Sequence, residues 1–324
     1  MRLDCPLLLD PAAYETEVAT PEQPFWLGEG DRQFVKPTLG SFLSDLLAAG
    51  ADAVLTPTKY IRRGEIEALE AVLDTSADLP PEAVLAIPLD VDWIAPERVG
   101  KLAGLLNRSP APKAVMLGGQ FNPPERVANG LPGLRRLAGE VADIALFRTD
   151  LAAFDGLAHG ALSGAIGTSS TLRHIIPPGE RPFTSNHPDE EPDNSPHLLV
   201  RDLVHYVKGS ALADGFGDKA GPLCGCRHCR QRRLTSFLGR GDWRDARLHG
   251  VAVWTDWLPD LVDQPSLTDR QRYWSSLCRL GIDGHAIYNR MAANPDSPFA
   301  PDRPLLFWAG AGPAGQAVKP RAGR

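Results

Sequence analysis

Cys224, Cys226 and Cys229 place three of the chain's five cysteines within six residues, CGCRHC, in a sequence of 324. Thiolates at C-x-C-x2-C spacing can face one ion. His249, in the helical stretch that follows, supplies a fourth ligand. Three sulfurs and one imidazole complete a tetrahedral shell, the arrangement of structural zinc, with no position left for a catalytic water. Gly225 is expected to give the tight turn that brings two close sulfurs onto one ion. His228 lies between two ligands and makes a poor fourth donor. Cys5 and Cys278 read as lone thiols. Five cysteines, an odd number with three clustered, do not make a disulfide framework, so a reducing cytoplasm is the expected compartment.

A zinc shell needs elements to hold it. Hydrophobic residues make up 43% of the chain, enough for one large α/β barrel or two smaller domains. From residue 34 onward, short apolar runs alternate with amphipathic ones. ADAVLTP precedes GEIEALEAVLD, EAVLAIPLD precedes PERVGKLAGLLNR, and KAVMLGGQ precedes LPGLRRLAGEV. Buried parallel strands separated by helices give that pattern. Strands are predicted near 34–37, 52–56, 83–89, 113–118, 143–148, 161–166, 197–200 and 210–213. Eight βα units in a row predict a closed (β/α)8 TIM barrel over 34–220, with an open doubly wound sheet as the alternative. Residues 1–33 are then an N-terminal segment. Residues 221–300 form a zinc-binding subdomain and C-terminal helices packed on the barrel. Residues 301–324 read as a partly disordered tail.

Residues 177–196 hold six prolines and five acids. They read as a loop on the barrel's catalytic face, either a solvated insertion or a lid. The formal net charge of −6 excludes a generally basic nucleic-acid binder. Charge is uneven, however. Between Arg227 and Arg247 stand seven arginines (227, 230, 232, 233, 240, 244, 247) against two aspartates, a local patch that could face phosphates. No run of eighteen apolar residues is present, so no membrane span is expected.

The chain resembles the tRNA-guanine transglycosylases and their DNA-modifying relatives over about residues 34–260. CGCRHC and the Leu-His of RLHGVAVWTDWL are similar to that family's zinc site. TLGSFLSDLLAAGADAVLTPTKYI is similar to its first helix and second strand, and RDLVHYVKGSALADG to its last helix and eighth strand. The resemblance implies a zinc-bearing (β/α)8 barrel that exchanges guanine for a 7-deazaguanine base through a covalent Asp–sugar intermediate. Its partners would be a nucleic acid and a purine or 7-deazapurine base, with no membrane. A homodimer or a partner protein stays open. The family's tRNA enzymes carry Asp-Ser-Gly-Gly-Phe-Gln after the third strand, where LDVDWIAP stands here. That departure favours DNA over tRNA.

Base exchange is a displacement at C1′ of the sugar. One carboxylate attacks and a second carries the proton to the leaving base, once the base is out of its stack. Asp214, expected to end the eighth strand, matches the family's nucleophile. Its alternative role is a turn or capping aspartate. Asp90 and Asp92 end the third strand and could share one face of it. Either could handle the proton, or one could cap the next helix. Gln120 and Asp150, after the fourth and fifth strands, suit the edge of a purine. Gly164 and Gly167, at the sixth, would let a flat base approach the backbone. Tyr60 and Trp93 could stack on a base, though core packing is their default. His174 with Arg173 could touch a phosphate. A second reading is a zinc-bearing barrel without chemistry, serving as a nucleic-acid-binding or scaffold subunit.

Overall fold

The structure, a computed structural model, describes residues 5–28, 37–120, 122–182, 193–293 and 299–311. These form two compact units. The first runs to Gly167 and adds Thr171–Pro182; the second holds Thr168–Ser170 and the described residues from Asp193 onward.

The first unit is a parallel sheet of β1 (Leu8–Leu9), β2 (Ala53–Leu55), β3 (Ala83–Asp90), β4 (Lys113–Gly118), β5 (Ile144–Thr149) and β6 (Ser163–Ile166), in chain order. The helices between successive strands are α1 (Leu39–Ala48), α2 (Ile66–Asp74), α3 (Pro96–Leu106), α4 (Gly130–Glu140) and α5 (Ala152–Ala158). Local chemistry sets where they begin. Thr38 and Ser41 form a reciprocal capping box on α1, and Pro96 opens α3 where its missing N–H costs nothing.

Six parallel strands in sequential order curl as half of a barrel. The expected eight-stranded closure is not there. The predicted seventh strand is β7 (His197–Val200), but it pairs antiparallel with β8 (His205–Lys208) in a separate two-stranded sheet of the second unit. Residues 210–213 lie inside a helix, α6 (Gly209–Phe216). A run as short as Ser-Ala-Leu-Ala fits a helix as well as a strand, and here the helix won. The sheet's first strand is instead Leu8–Leu9, paired through Leu8 with Ala53, in the segment expected to stand apart. Most of the strand predicted at 34–37 lies outside the described residues. The doubly wound alternative fails too, because its strand order reverses at a switch point and this order does not.

The barrel boundary at 220 moves accordingly, since β7, β8 and α6 belong with the cysteine cluster. Part of the expected tail is helical, as α9 (Arg303–Trp308), with Leu305 and Trp308 buried. Of the segment 177–196, read as a loop or a lid, residues 183–192 lie outside those described.

One face of the sheet carries Leu55, Ala86, Ala114 and Met116, packed with Tyr14, Tyr60 and Ile175 into one core. Alanines on two adjacent strands leave room for the two phenol rings. Tyr60 lies on Gly118, where a Cβ would come within 2.2 Å of its hydroxyl. Ile175 is strapped to β4 by its own N–H to Leu117 O (3.1 Å) and by Gly119 N–H to its carbonyl (2.9 Å).

In the second unit, α7 (Trp243–Val262) and α8 (Leu267–Met291) are the long helices. No helix among the described residues is long and apolar enough to cross a membrane. His285 of α8 is 2% exposed, with the His205 ring 5.6 Å away. His205 Nε2 in turn lies 3.2 Å from Asp302. Burial, then the His205 charge, push the His285 pKa down to about 4. The unfolded chain therefore takes up this proton near pH 6.5 and the folded chain only near 4. Between those values the unfolded state binds more protons, so stability falls as pH falls. The urea midpoint should drop from pH 7 to pH 5, and His285→Phe should flatten that drop. An unchanged slope in the variant would remove His285 as its cause.

Candidate metal centre and strand-end residues

Cys224, Cys226, Cys229 and His249 come together in the second unit, with all four ligand atoms within 4.8 Å of one another. His249 Nδ1 stands 3.3, 3.5 and 3.4 Å from the three sulfurs in turn. Tetrahedral zinc, with its usual bond lengths, sets sulfur and nitrogen roughly 3.6 Å apart. The donor set and its spacing therefore fit the ion.

The backbone supports the same geometry. Cys226 N–H points at Cys224 Sγ (3.5 Å) and Cys229 N–H at Cys226 Sγ (3.3 Å). The chain reverses through Arg230 and Gln231, whose φ of 48° and 72° are left-handed. Gln231 N–H then returns to Cys224 O (3.0 Å). Gly225 has no positive φ, so the turn expected of it is made after the third cysteine instead. His228 meets Asp245 at 3.4 Å, away from the ligand set.

His249 is fully buried in α7. Its Nε2 lies 2.7 Å from Leu199 O of β7. Donation to that carbonyl fixes the tautomer and leaves Nδ1 free to ligate. The centre thus ties α7 to the β7–β8 hairpin. Without a cation the sulfurs compete for protons. The hydrogen bond with Cys229 draws the Cys224 thiol well down, while the same contact drives Cys229 up. Burial works against the imidazolium of His249, yet hydrogen bonds to Cys224 and Cys226 outweigh it and raise the pKa to about 9. A divalent ion would relieve this competition by holding all three thiolates, and its affinity would fall with acid.

The arginine patch divides. Arg232 pairs with Asp242 and Asp245 and stacks 3.7 Å from the Phe237 ring centre. Arg233 donates to Gly221 O (2.8 Å), Arg227 to Thr255 (2.5 Å) and Arg240 to Asn194 (2.8 Å). These hold the loops around the cysteines. Arg230, Arg244 and Arg247 are exposed, so the surface available to a polyanion is smaller than the count of seven suggested.

In the first unit, Asp90 ends β3. It accepts from Tyr60 Oη (3.3 Å) on one oxygen and from Asp92 N–H (2.9 Å) on the other. Asp92 does not share its face, because the strand ends and Val91–Ile94 is a 3-10 turn. Asp92 instead pairs with Arg63 and, at 3.1 Å, with Arg98. Gln120 donates to Arg181 O (3.0 Å). Asp150 accepts from Ala152 N–H (2.9 Å) at the start of α5. Gly164 and Gly167 have backbone reasons, since a Cβ would meet Ala153 at 2.8 Å and Leu172 at 2.3 Å. Tyr60 and Trp93 are buried in the core.

Asp214 is exposed within α6. The strand end on which its reading as nucleophile rested is absent. Sequence reasoning missed Asp10, Tyr14 and Glu15, because the N-terminal segment was set apart from the sheet they join. Tyr14 donates to Asp10, and Glu15 pairs with Arg148 at 2.5 Å. No protein-family model matches the chain, and no curated protein matches it.

Proposed function

We propose that the chain is a zinc-stabilised guanine transglycosylase, exchanging guanine for a 7-deazaguanine base in nucleic acid, with DNA preferred to tRNA. The observation that carries this reading is the Cys3His cluster, whose ligand spacing and geometry suit a closed structural zinc site of the kind the resembled family uses. The metal would hold α7 to the hairpin and take no part in chemistry. Asp90 is the proton-handling group in this reading, since Tyr60 and the Asp92 N–H fix its carboxylate at a strand's end. Asp214, the nucleophile that the resemblance implies, lies exposed in α6 and not at a strand end, so this reading assigns it no partner carboxylate.

Incorporation of labelled guanine into DNA and tRNA tests this directly. Asp214→Asn tests the role that the resemblance implies: loss of exchange and of any trapped protein–nucleic acid adduct, with zinc content and folding intact, would assign it. Asp90→Asn should slow exchange by roughly 100-fold or more, the usual worth of a positioned acid or base. Wild-type exchange by Asp214→Asn would remove it as nucleophile. Absence of exchange by the native protein on both polymers would remove the activity.

The second reading, a nucleic-acid-binding or scaffold subunit without chemistry, is favoured by Asp92, which two arginines already neutralise, and by the exposed helical setting of Asp214. It expects binding that weakens steeply with salt through Arg230, Arg244 and Arg247, with no exchange.

A further inference from the structure

Arg148, near the end of β5, has φ of 51°, a left-handed value uncommon for any residue but glycine. The pairing of β5 with β6 shifts register between Leu146 and Thr149, an irregularity of the kind that re-aims a side chain at a sheet's end. The re-aimed guanidinium lies 5.6 Å from the centre of the Tyr14 ring and pairs with Glu15. Its Nε is buried without a partner among the described residues. Arg148 and Arg173 line one cleft, together with Leu117, Pro123, Phe147 and Thr149. Arg173 is steadied by its Nε, which donates to Gly167 O (3.0 Å). Burial, then Arg148 and Arg173, push the neighbouring His174 pKa down, which marks a positive local potential. The cleft lies at the carboxyl ends of β4 and β5, the end at which α/β sheets take their ligands.

We propose that this cleft binds a phosphate group, free or carried on a nucleotide, through Arg148 and Arg173. Guanidinium forks match phosphate oxygens in pairs. Backbone strain held in a single residue clusters at ligand clamps. Pro123 and Phe147 give an apolar wall that suits a carried phosphate. Glu15 competes for Arg148 and sets the affinity. The site does not depend on base exchange, and its test reads binding alone.

Calorimetric titration of the zinc-loaded full chain at low salt should compare guanosine monophosphate, inorganic phosphate and guanosine. The monophosphate and phosphate should bind, with guanosine at least roughly tenfold weaker than the monophosphate. Tighter binding of the monophosphate than of phosphate identifies a nucleotide site, and equal binding a free-phosphate site. Arg148→Gly removes the guanidinium and relieves the left-handed φ, so it should weaken both ligands about tenfold with little change in the unfolding midpoint. Should that variant not fold, Glu15→Gln decides, because losing the competitor should tighten binding several-fold. No heat from either phosphate ligand at millimolar concentration, guanosine binding equal to the monophosphate, or an affinity unchanged in Glu15→Gln would overturn the site.

Discussion

Cys226→Ala should leave the protein without stoichiometric zinc and lower its thermal transition by about 10 °C or more. The sulfur of Cys226 lies 3.5 Å from His249 Nδ1 and accepts the N–H of Cys229, so its loss removes a ligand and loosens the turn that presents another. Structural zinc in small sites is worth about 10–16 kcal/mol of binding, comparable with a whole domain's stability of about 5–15 kcal/mol. Losing a quarter of the shell therefore outweighs any surface change. The damage should centre on α7 and the β7–β8 hairpin, which meet through His249 and Leu199 O. A chelator should produce the same state in the native protein, more readily as pH falls, because protons compete for the same sulfurs and imidazole. Full zinc occupancy in Cys226→Ala, measured by metal analysis after gel filtration, would end the assignment.

Asp155→Ala should cost about 3–5 kcal/mol, the usual penalty for orphaning one half of a buried ion pair. Asp155 of α5 is 4% exposed and receives Arg135 of α4 in a two-pronged contact, at 2.8 Å on each oxygen. His159, one turn further on, stands 3.7 Å from the same carboxylate. Truncation would take both oxygens from the guanidinium of a side chain that is only 24% exposed. Asp155→Asn keeps the shape and should cost less. Arg135→Met combined with Asp155→Leu should recover much of the loss, because apolar groups of similar volume carry no stranded charge. Urea unfolding of the four proteins measures this, and a loss below about 1 kcal/mol in Asp155→Ala would show that water reaches Arg135 freely.

What could be read from the sequence follows the range of the interactions involved. The candidate metal ligands were legible because three of them sit within six residues and their chemistry has few other uses. β3 and β4 were legible because strands buried on both faces are largely apolar, as AVLAIPLD shows with all but two of its residues buried. Leu8–Leu9 is too short to carry a pattern, and it became a strand only by pairing with β2. The hairpin of β7 and β8 turns on Val204 in a left-handed conformation, which no residue preference announces. Asp90 and Asp92 look alike in sequence. They part because Arg63 and Arg98 reach one and Tyr60 the other, contacts fixed only by the fold. Arg148 carries no sequence signal, since its place depends on a shift of register.

The order of the strands also governs how the molecule can be made. Each strand of the first unit pairs with the one just before it in the chain, so every strand leaving the ribosome finds its neighbour already present. Pairing in chain order keeps each closure shorter than any other order of these strands would, which lowers its entropic cost. Ile175 arrives after β6 and only then covers Tyr14 and Tyr60, so the apolar face stays open until the sheet is complete. In the second unit the three cysteines emerge before His249. During that interval the thiols lack their fourth partner and are open to oxidation.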